Sequence, residues 1–515
     1  MDSDGLPTSG GSLNRRIARG AAWMVGLHFV DRCIGFVSTI ILARLLVPAD
    51  FGLVAIAMAL VAAVSVFGEF GLELALIQNQ KAQRSHYDTA WTLGLLRGLC
   101  AAAIIALLAE PLAAFFDDPR LETVVLVLAL APLLEGFYNI GTVAFRKNLT
   151  LDKEFIFQLV PRLAGVIGTI TFALIWRDYW ALIVGMLAGK AIRMAMSYVM
   201  HSFRPRLSLA AGREIMHFSK WILVTGLVTL VNRRGGTLLI AKFLDASSVG
   251  TFAIASQISN MAAAELIAPI KQVLFPGYAR IAHDIALLRK AFLDAYGILV
   301  LVALPVAIGI GLTARYFVPL LLGPKWVQAV PVIEILVISG GLLSLASHVR
   351  PIYLALNRPK LGAYASIGHA LVYLPALYVG LSEYGLLGAA VAHAIGQVVV
   401  LMGSLYFMRR LLSVTFGEFM RATWRALTAC LLMIAAVLAL RFNPPVQGEG
   451  AIVDAVLLAC SVGTGVLVYV GTTLLLWWTC GRPQDSAEAH VITIVREALR
   501  HRRLPAGTPA AGKGA

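Results

Sequence analysis

ILARLLVPADFGLVAIAMAL, residues 41–60, and LIAKFLDASSVGTFAIASQI, residues 239–258, are two copies of one pattern. They align without gaps and share six of twenty residues, including Gly52 with Gly250 and Ala55-Ile56-Ala57 with Ala253-Ile254-Ala255. Arg44 stands opposite Lys242. Each copy closes one apolar run, passes a short polar turn and opens the next. Because the turn matches along with the apolar runs, internal duplication explains the pair better than shared composition does.

The same alternation of long apolar runs and short polar turns fills almost the whole chain of 515 residues. The composition is 59% hydrophobic and 14% charged, with a mean hydropathy of +0.80, far from the roughly one-quarter charged residues of a soluble domain. Runs of about 20 apolar residues suit membrane-crossing helices, whereas a barrel strand would alternate. The runs lie at roughly 22–45, 52–76, 91–115, 121–141, 157–176, 180–200, 219–241, 249–270, 294–314, 330–348, 361–380, 386–408, 423–441 and 453–478. The expected fold is therefore an all-α integral membrane protein with about 14 transmembrane helices.

The net charge of +15 falls in the short connections, so it points to membrane topology and away from nucleic acid. Assigning turns alternately to two sides places about thirty basic residues on one side. Only seven fall on the other: Arg44, Arg120, Arg177, Lys242, Arg315, Lys325 and Arg441. The positive-inside rule then puts both termini in the cytoplasm of a bacterial inner membrane, with Arg15, Arg16 and Arg19 preceding a retained first span. Six spans separate the repeat copies, so the two halves run in the same direction. Parallel repeats imply a pseudo-two-fold axis along the membrane normal, with a cavity between two six-helix lobes. The expected organisation is a cytoplasmic segment 1–20, an N-lobe 21–200, a linker 201–218, a C-lobe 219–410, two further helices in 411–480 and a basic tail 481–515. In that tail, Asp485 and Glu488 read as a capping box opening an amphipathic helix with Arg496, Arg500, Arg502 and Arg503 on its polar face.

Several chemistries are excluded. Cys33, Cys100, Cys430, Cys460 and Cys480 are widely spaced, without disulfide-framework or zinc-ligand spacing. The run GMLAGKA (185–191) has three residues between its glycines, Ala191 after its lysine and an apolar setting, so it is no phosphate-binding loop. Outer turns of at most about a dozen residues leave no room for a polymerase or ligase domain. No enzyme, metal or cofactor is expected.

Charges inside the apolar runs carry the remaining signal. Arg32 lies ~15 Å and Arg233 ~20 Å from the inner ends of their runs, too deep to snorkel easily. Arg32 adjoins Asp31, so it either pairs with an acid or meets an anionic cargo. Asn232, Arg233 and Arg234 have no acid in their own run, and guanidinium forks match phosphate oxygens. With Lys190 they form the expected cationic cavity. Candidate gate or coupling residues are Asp31, Glu69, Glu73, Arg97, Glu265, His369 and His393, with Glu69–Arg97 as one expected gate pair. Glu135, Arg162 and His28 lie in the same layers.

FVSTIILARLLVPADFGLVAIAMAL (36–60), EFGLELALIQ (69–78), FRKNLTLDKEF (145–155), LLIAKFLDASSVGTFAIA (238–255) and VLFPGYARIAHD (273–284) resemble the polysaccharide transporter family. That family belongs to a superfamily with the multidrug-and-toxin extruders and the lipid II flippase. The resemblance covers roughly the first 410 residues. It implies a flippase for undecaprenyl-diphosphate-linked oligosaccharide repeat units, serving exopolysaccharide, capsule or O-antigen synthesis by alternating access. The implied partners are the lipid-linked oligosaccharide, membrane lipids and polysaccharide polymerase and export machinery. A cation-coupled multidrug antiporter of the same fold is the alternative. One departure stands out: many relatives carry an acid just before the LLI run, where this chain has Gly235 and Gly236 after two arginines.

Overall fold

The computed structural model describes residues 10–493, apart from 67–70, 80, 149, 359, 446–447, 449 and 485. Within helices, it leaves undescribed the side chains of residues 10–25, 27–28, 213–225, 261–273, 275–276 and 347. All regular structure among the described residues is helical. The chain forms α1 (Gly10–Leu45), α2 (Pro48–Val66), the short α3 (Leu72–Gln78) and α4 (Arg84–Phe115). Then come α5 (Arg120–Leu128), α6 (Leu130–Gly136), a 3-10 turn at Ile140–Thr142 and α7 (Val143–Lys147). α8 (Leu151–Trp176) and α9 (Trp180–Met200) follow, and an irregular segment leads to α10 (Gly212–Phe243) and α11 (Ala246–Ile281). α12 (Ile285–Phe317) passes through a π-helical turn at Val318–Leu322 and a 3-10 turn at Pro324–Trp326. The chain ends with α13 (Ala329–Ser347), α14 (Val349–Ala355), α15 (Lys360–Leu412), α16 (Phe416–Phe442) and α17 (Ala451–Thr479).

Among the described residues, nine helices are long and apolar enough to cross a bilayer, or ten if the segment α5 to α7, bent by 60°, counts as one. The apolar runs of the sequence coincide with described helices, although the run 52–76 is divided between α2 and α3 and the run 121–141 is broken across α5, α6 and the 3-10 turn. Three runs lie on α1, α10 and α11, which carry the undescribed side chains, and α15 holds two. Gly385 separates those two with φ 57° and ψ −134°, a conformation open to glycine at little cost. Beyond the turn the two halves of α15 pass so closely that a Cβ on Gly388 would overlap the Gly380 carbonyl. Large apolar side chains point outward along many helices, among them Leu107, Val199, Ile452 and Leu467. Lipid, not water, suits such a surface. This is a multi-pass membrane protein.

The repeat turns show how the sequence ends one helix and begins the next. Pro48 cannot continue α1, because it lacks an amide hydrogen, so it opens α2 instead. Asp50 then reaches back and accepts from the Val47 amide at 3.0 Å. In the second copy the equivalent positions are Asp245 and Ser248, and here Asp245 accepts from the Ser248 amide at 3.0 Å. The acid has changed ends, but the same two positions cap the helix.

The chain divides into two compact units. The first holds everything up to Gln257, with Val318–Val332 and Ser366–Gly396. Its largest fully buried side chain is Trp326, edge-on to Phe51 at 5.3 Å, with its indole donating to the Ala43 carbonyl at 2.8 Å. The irregular segment before α10 lies against α4. Its Arg206, Ser208 and Ala211 amides donate to the side chains of Asp88, Thr92 and Thr89. Those buried polar residues satisfy backbone groups that would otherwise be left without partners, so this part of the linker docks on a helix. The second unit holds Ile258–Phe317, Ile333–Ala365 and the chain from Gln397 onward. Phe292, Tyr296, His348 and Phe419 pack into one aromatic cluster there, with Phe292 stacked on His348 at 4.9 Å. The start of the tail docks on this unit through a buried ion pair, Arg425 Nε to Glu488 Oε1 at 2.9 Å. The expected partner of Glu488, Asp485, and the basic residues from 494 onward lie outside the described residues.

Candidate functional site

Within the first unit, α1, α8 and α9 enclose a cavity of about 710 Å³. Glycine makes the room. A Cβ on Gly165 of α8 would sit 3.2 Å from the Gly185 carbonyl and 3.4 Å from Gly189 Cα of α9, so the two backbones run almost in contact. All three glycines line the cavity, leaving its wall bare of side chains there.

Four cations line the same space: Arg146 at the end of α7, Arg162 on α8, and Lys190 and Arg193 on α9. Lys190 and Arg193 are three residues apart and Gln158 and Arg162 four, so each pair shares one helix face. Arg162 lies ~16 Å along α8 from Leu151, and Lys190 ~15 Å from either end of α9. Among the described lining residues Asp31 is the one carboxylate, and its Oδ1 accepts from Arg162 Nε at 2.9 Å. Other acids stand behind the cations. Lys190 pairs with Glu135, and Arg97 approaches the same carboxylate at 4.0 Å. Arg146 reaches buried Glu154 at 2.7 Å and Glu73 at 3.3 Å. Arg193 lies over the rings of Tyr138 and Phe157, 5.5 Å from each centroid. Ring faces attract a guanidinium without neutralising it. The described lining therefore presents more positive than negative charge, and an anion with several oxygens can bridge the forks.

Of the expected cavity residues, Lys190 is in this lining. Arg32 and Arg233 are exposed, Arg234 is half-buried, and none of the three lines the cavity. Asn232 instead joins a buried polar chain: it accepts from His369 Nδ1 at 2.7 Å and donates to the Ser366 carbonyl at 3.2 Å. His369 stacks on Tyr373 at 5.1 Å, and His393 meets the edge of the same ring at 5.5 Å. Of the expected gate residues, Asp31, Glu73 and Arg97 take part in the ion pairs around the cavity. Glu69 and the side chains of Glu265 and His28 lie outside the described residues. Arg146, Arg193 and Gln158 are additions to the site. In the sequence the first two count as loop charges, although the three-residue spacing of Lys190 and Arg193 on a glycine-rich run is a visible sign.

At the ends of α1 and α10 that the charge pattern puts outside, the repeat closes on itself. A Cβ on Gly52 would overlap the Ala246 carbonyl and lie 2.9 Å from the Gly250 amide nitrogen. One on Gly250 would overlap the Pro48 carbonyl and lie 2.8 Å from the Gly52 amide nitrogen. The flanking cations cap other helices. Arg44 donates to the Leu320 and Leu321 carbonyls, while Lys325 returns a bond to the Arg44 carbonyl at 2.9 Å. Lys242, the repeat equivalent of Arg44, donates to the Phe115 carbonyl that ends α4, at 2.6 Å. Between the helices, Gln257 donates to Thr39 at 2.8 Å.

The family model described as "Polysaccharide biosynthesis protein" matches residues 41–331. The chain is 24% identical over 418 residues to the lipopolysaccharide biosynthesis protein WzxC of Escherichia coli (strain K12), covering 80% of this chain and 85% of that one. It is 23% identical over 468 residues to the succinoglycan biosynthesis transport protein ExoT of Rhizobium meliloti (strain 1021), covering 90% and 93%. Among solved structures, the lipid II flippase MurJ in an inward closed conformation superposes with a TM-score of 0.70 at 14% identity, covering 88% of this chain and 99% of that one. That likeness shows a shared fold.

Proposed function

Because the chain belongs to the family of polysaccharide biosynthesis proteins defined by that match, we propose that it is a flippase for lipid-linked oligosaccharides. The cargo is an undecaprenyl-diphosphate-linked repeat unit, carried across the bacterial inner membrane for exopolysaccharide, capsule or O-antigen synthesis. The observation that carries this reading is the cavity between α1, α8 and α9, where Arg146, Arg162, Lys190 and Arg193 face Asp31, the one acid among the described lining residues. A cationic drug would be repelled there, whereas a diphosphate is attracted.

The ion pairs explain how the site stays stable when empty. Arg146, Arg162 and Lys190 each rest on a carboxylate and Arg193 rests on two ring faces, so no lining cation stands alone. An arriving diphosphate replaces Asp31 on Arg162 and spans to Arg193, which already lacks a neutralising acid. The lipid tail remains in the bilayer throughout. Binding favours whichever conformation holds the cations closest, and that differential affinity moves the protein between inward and outward states. The repeat-related turns at Gly52 and Gly250 supply the outer closure. In this reading both termini and the basic turns face the cytoplasm, and polymerase and export machinery take the product outside.

Deleting the gene in its host tests the assignment. Complete lipid-linked repeat units should collect on the inner leaflet while surface or secreted polysaccharide is lost. Unchanged polysaccharide together with altered drug resistance would overturn it.

A further inference from the structure

The second unit holds a cavity of its own. About 430 Å³ lies between the first turns of α12, the first turns of α16 and the start of the tail. That size falls within the roughly 300–1,000 Å³ of small-molecule sites. Arg289, Lys290, Arg421 and Arg425 line it, against Asp294 and Glu418 among the described residues. Two of the cations serve the fold. Arg289 gives Nη2 to both oxygens of Glu418, the acid that caps α16 by accepting from the Thr415 amide at 2.8 Å. Arg425 is held by Glu488 through Nε and Nη2, at 2.9 and 3.0 Å. Lys290 and Asp294 stand four residues apart on one face of α12, where they can meet. Arg421 is exposed and has no hydrogen bond or ion pair among the described residues. Four cations thus answer three acids, Glu488 included, and Arg421 is the one left over. Arg289 also keeps the N–H donors of Nε and Nη1, because its bonds to Glu418 spend only Nη2.

We propose that this cavity binds the phosphate of an anionic phospholipid from the cytoplasmic leaflet, and that the bound lipid fastens the tail to the second unit. α12 and α16 begin, and the tail lies, on the side that the charge pattern assigns to the cytoplasm. The proposal adopts that topology but needs no particular cargo, so it stands apart from the flippase reading. Its chemistry is that of any phosphate, whose oxygens suit the guanidinium of Arg421 and the unspent donors of Arg289. A phosphodiester carries one negative charge, which matches the one surplus cation. The surroundings favour a lipid as its source. Trp424, Leu431 and Leu432 are 37%, 67% and 48% exposed. With Arg421 they share a sector of about 100° around α16. A phosphate at Arg421 therefore has an apolar track leading away along the helix, which acyl chains can follow and a free ion cannot use. Basic pockets between helices on the cytoplasmic side are where anionic headgroups collect.

The tail forms the third wall. Ser486 and Ala487 line the cavity, and Ser486 is 6% exposed. Its hydroxyl accepts from the Ala489 amide at 3.3 Å, which caps the helical stretch 487–493. Ala487 lies against α12, 3.2 Å from where a Cβ on Gly297 would stand. A phosphate drawn into the cavity meets this wall as well as α12 and α16, so three separate stretches of chain close around one anion. A ligand that binds only the docked tail stabilises that state, and docking then follows the anionic-lipid content of the leaflet.

The test uses the full chain in detergent, without cargo, and three probes: dioleoyl phosphatidylglycerol, dioleoyl phosphatidylcholine and water-soluble glycerophosphoglycerol. Native mass spectrometry measures binding, and hydrogen exchange follows the backbone amides of 487–493. In the wild type, phosphatidylglycerol should bind at least about fivefold more tightly than phosphatidylcholine and slow that exchange. Glycerophosphoglycerol at the same concentration should do neither. Arg421→Gln should bind phosphatidylglycerol about five- to tenfold more weakly and lose the slowed exchange, with its thermal unfolding in phosphatidylcholine unchanged. Arg421→Lys should fall between, since it keeps the charge without the fork. Phosphatidylglycerol bound equally by the wild type and Arg421→Gln would overturn the site. Equal protection by glycerophosphoglycerol would assign the cavity to a soluble anion and overturn the lipid source. Binding that depends on Arg421 yet leaves the exchange of 487–493 unmoved would overturn the fastening of the tail. Should Arg421→Gln fail to fold, Lys290→Gln on α12 carries the decision with the same readouts. None of these outcomes touches the flippase reading, which the gene deletion tests.

Discussion

Gly52 and Gly250 occupy equivalent positions in the two copies of the repeat and lie against each other in the structure, each blocked by the backbone of the other's turn. A residue touching its own repeat equivalent must sit on the axis that relates the copies. A pseudo-two-fold axis of the kind the sequence repeat implies would pass between these two glycines.

Placing a methyl group on this axis should loosen the closure from either side. Gly52→Ala and Gly250→Ala are expected to destabilise the purified protein by similar amounts, each about 1–3 kcal/mol, because each intrudes on a carbonyl that cannot retreat. Thermal unfolding in detergent measures this. One substitution tolerated and the other not would break the reciprocal relationship.

Neutralising the cavity should reduce export without emptying the membrane of protein. Arg162→Gln and Arg193→Gln each remove a charge-assisted hydrogen bond to the cargo, a loss of about 1.5–3 kcal/mol or roughly ten- to a hundredfold in affinity. Arg193→Lys should restore only part of it, since the charge returns without the planar fork. Export per inserted molecule is the readout, and equal export by all three variants would remove these residues from the cargo path.

Arg233 is exposed and has no hydrogen bond or ion pair among the described residues. Arg233→Gln should therefore change stability by no more than about 0.5 kcal/mol. Membrane levels and thermal unfolding check this, and a large loss of folded protein would reveal a structural role.

The tail should matter more than its position suggests. The Arg425–Glu488 pair is nearly enclosed, with side chains 11% and 6% exposed. Ala487 beside it packs 3.2 Å from where a Cβ on Gly297 would stand. Glu488→Ala strands a buried guanidinium and should destabilise by about 3–5 kcal/mol, and replacing both partners with apolar residues should recover most of that. A single variant as stable as the wild type would show the pair to be dispensable.

Topology gives a further check on the charge pattern. Reporters fused near Asp117, Tyr384 and Gly448 should read as extracytoplasmic, and those near Arg84, Arg206 and Arg410 as cytoplasmic. Tyr384 labelled from inside would contradict the assignment.

The helices were legible because each apolar run announces itself by length, and the repeat because Gly52 and Gly250 keep a shape that no other residue fits. The cavity was only partly so. Lys190 stands out as a charge in an apolar run, but Arg146 and Arg193 lie near helix ends, where snorkelling explains them without a site. Only the bend through α5 to α7 and the close approach of α8 to α9 bring them to one space. Neighbours in sequence also mislead on a helix. Asp31 and Arg32 differ by about 100° around α1, so Asp31 meets Arg162 on α8 while Arg32 stays outside the cavity.

The glycine contact between α8 and α9 inverts the usual logic of mutational scanning. Alanine is chosen for scans because it deletes a side chain and adds nothing. At Gly165, Gly185 and Gly189 it would be an insertion, most severe at Gly185, where the new carbon would overlap Thr169. Such a scan would return its largest losses from the three positions where the two backbones meet, and a map drawn from it would mistake a packing constraint for contact with cargo.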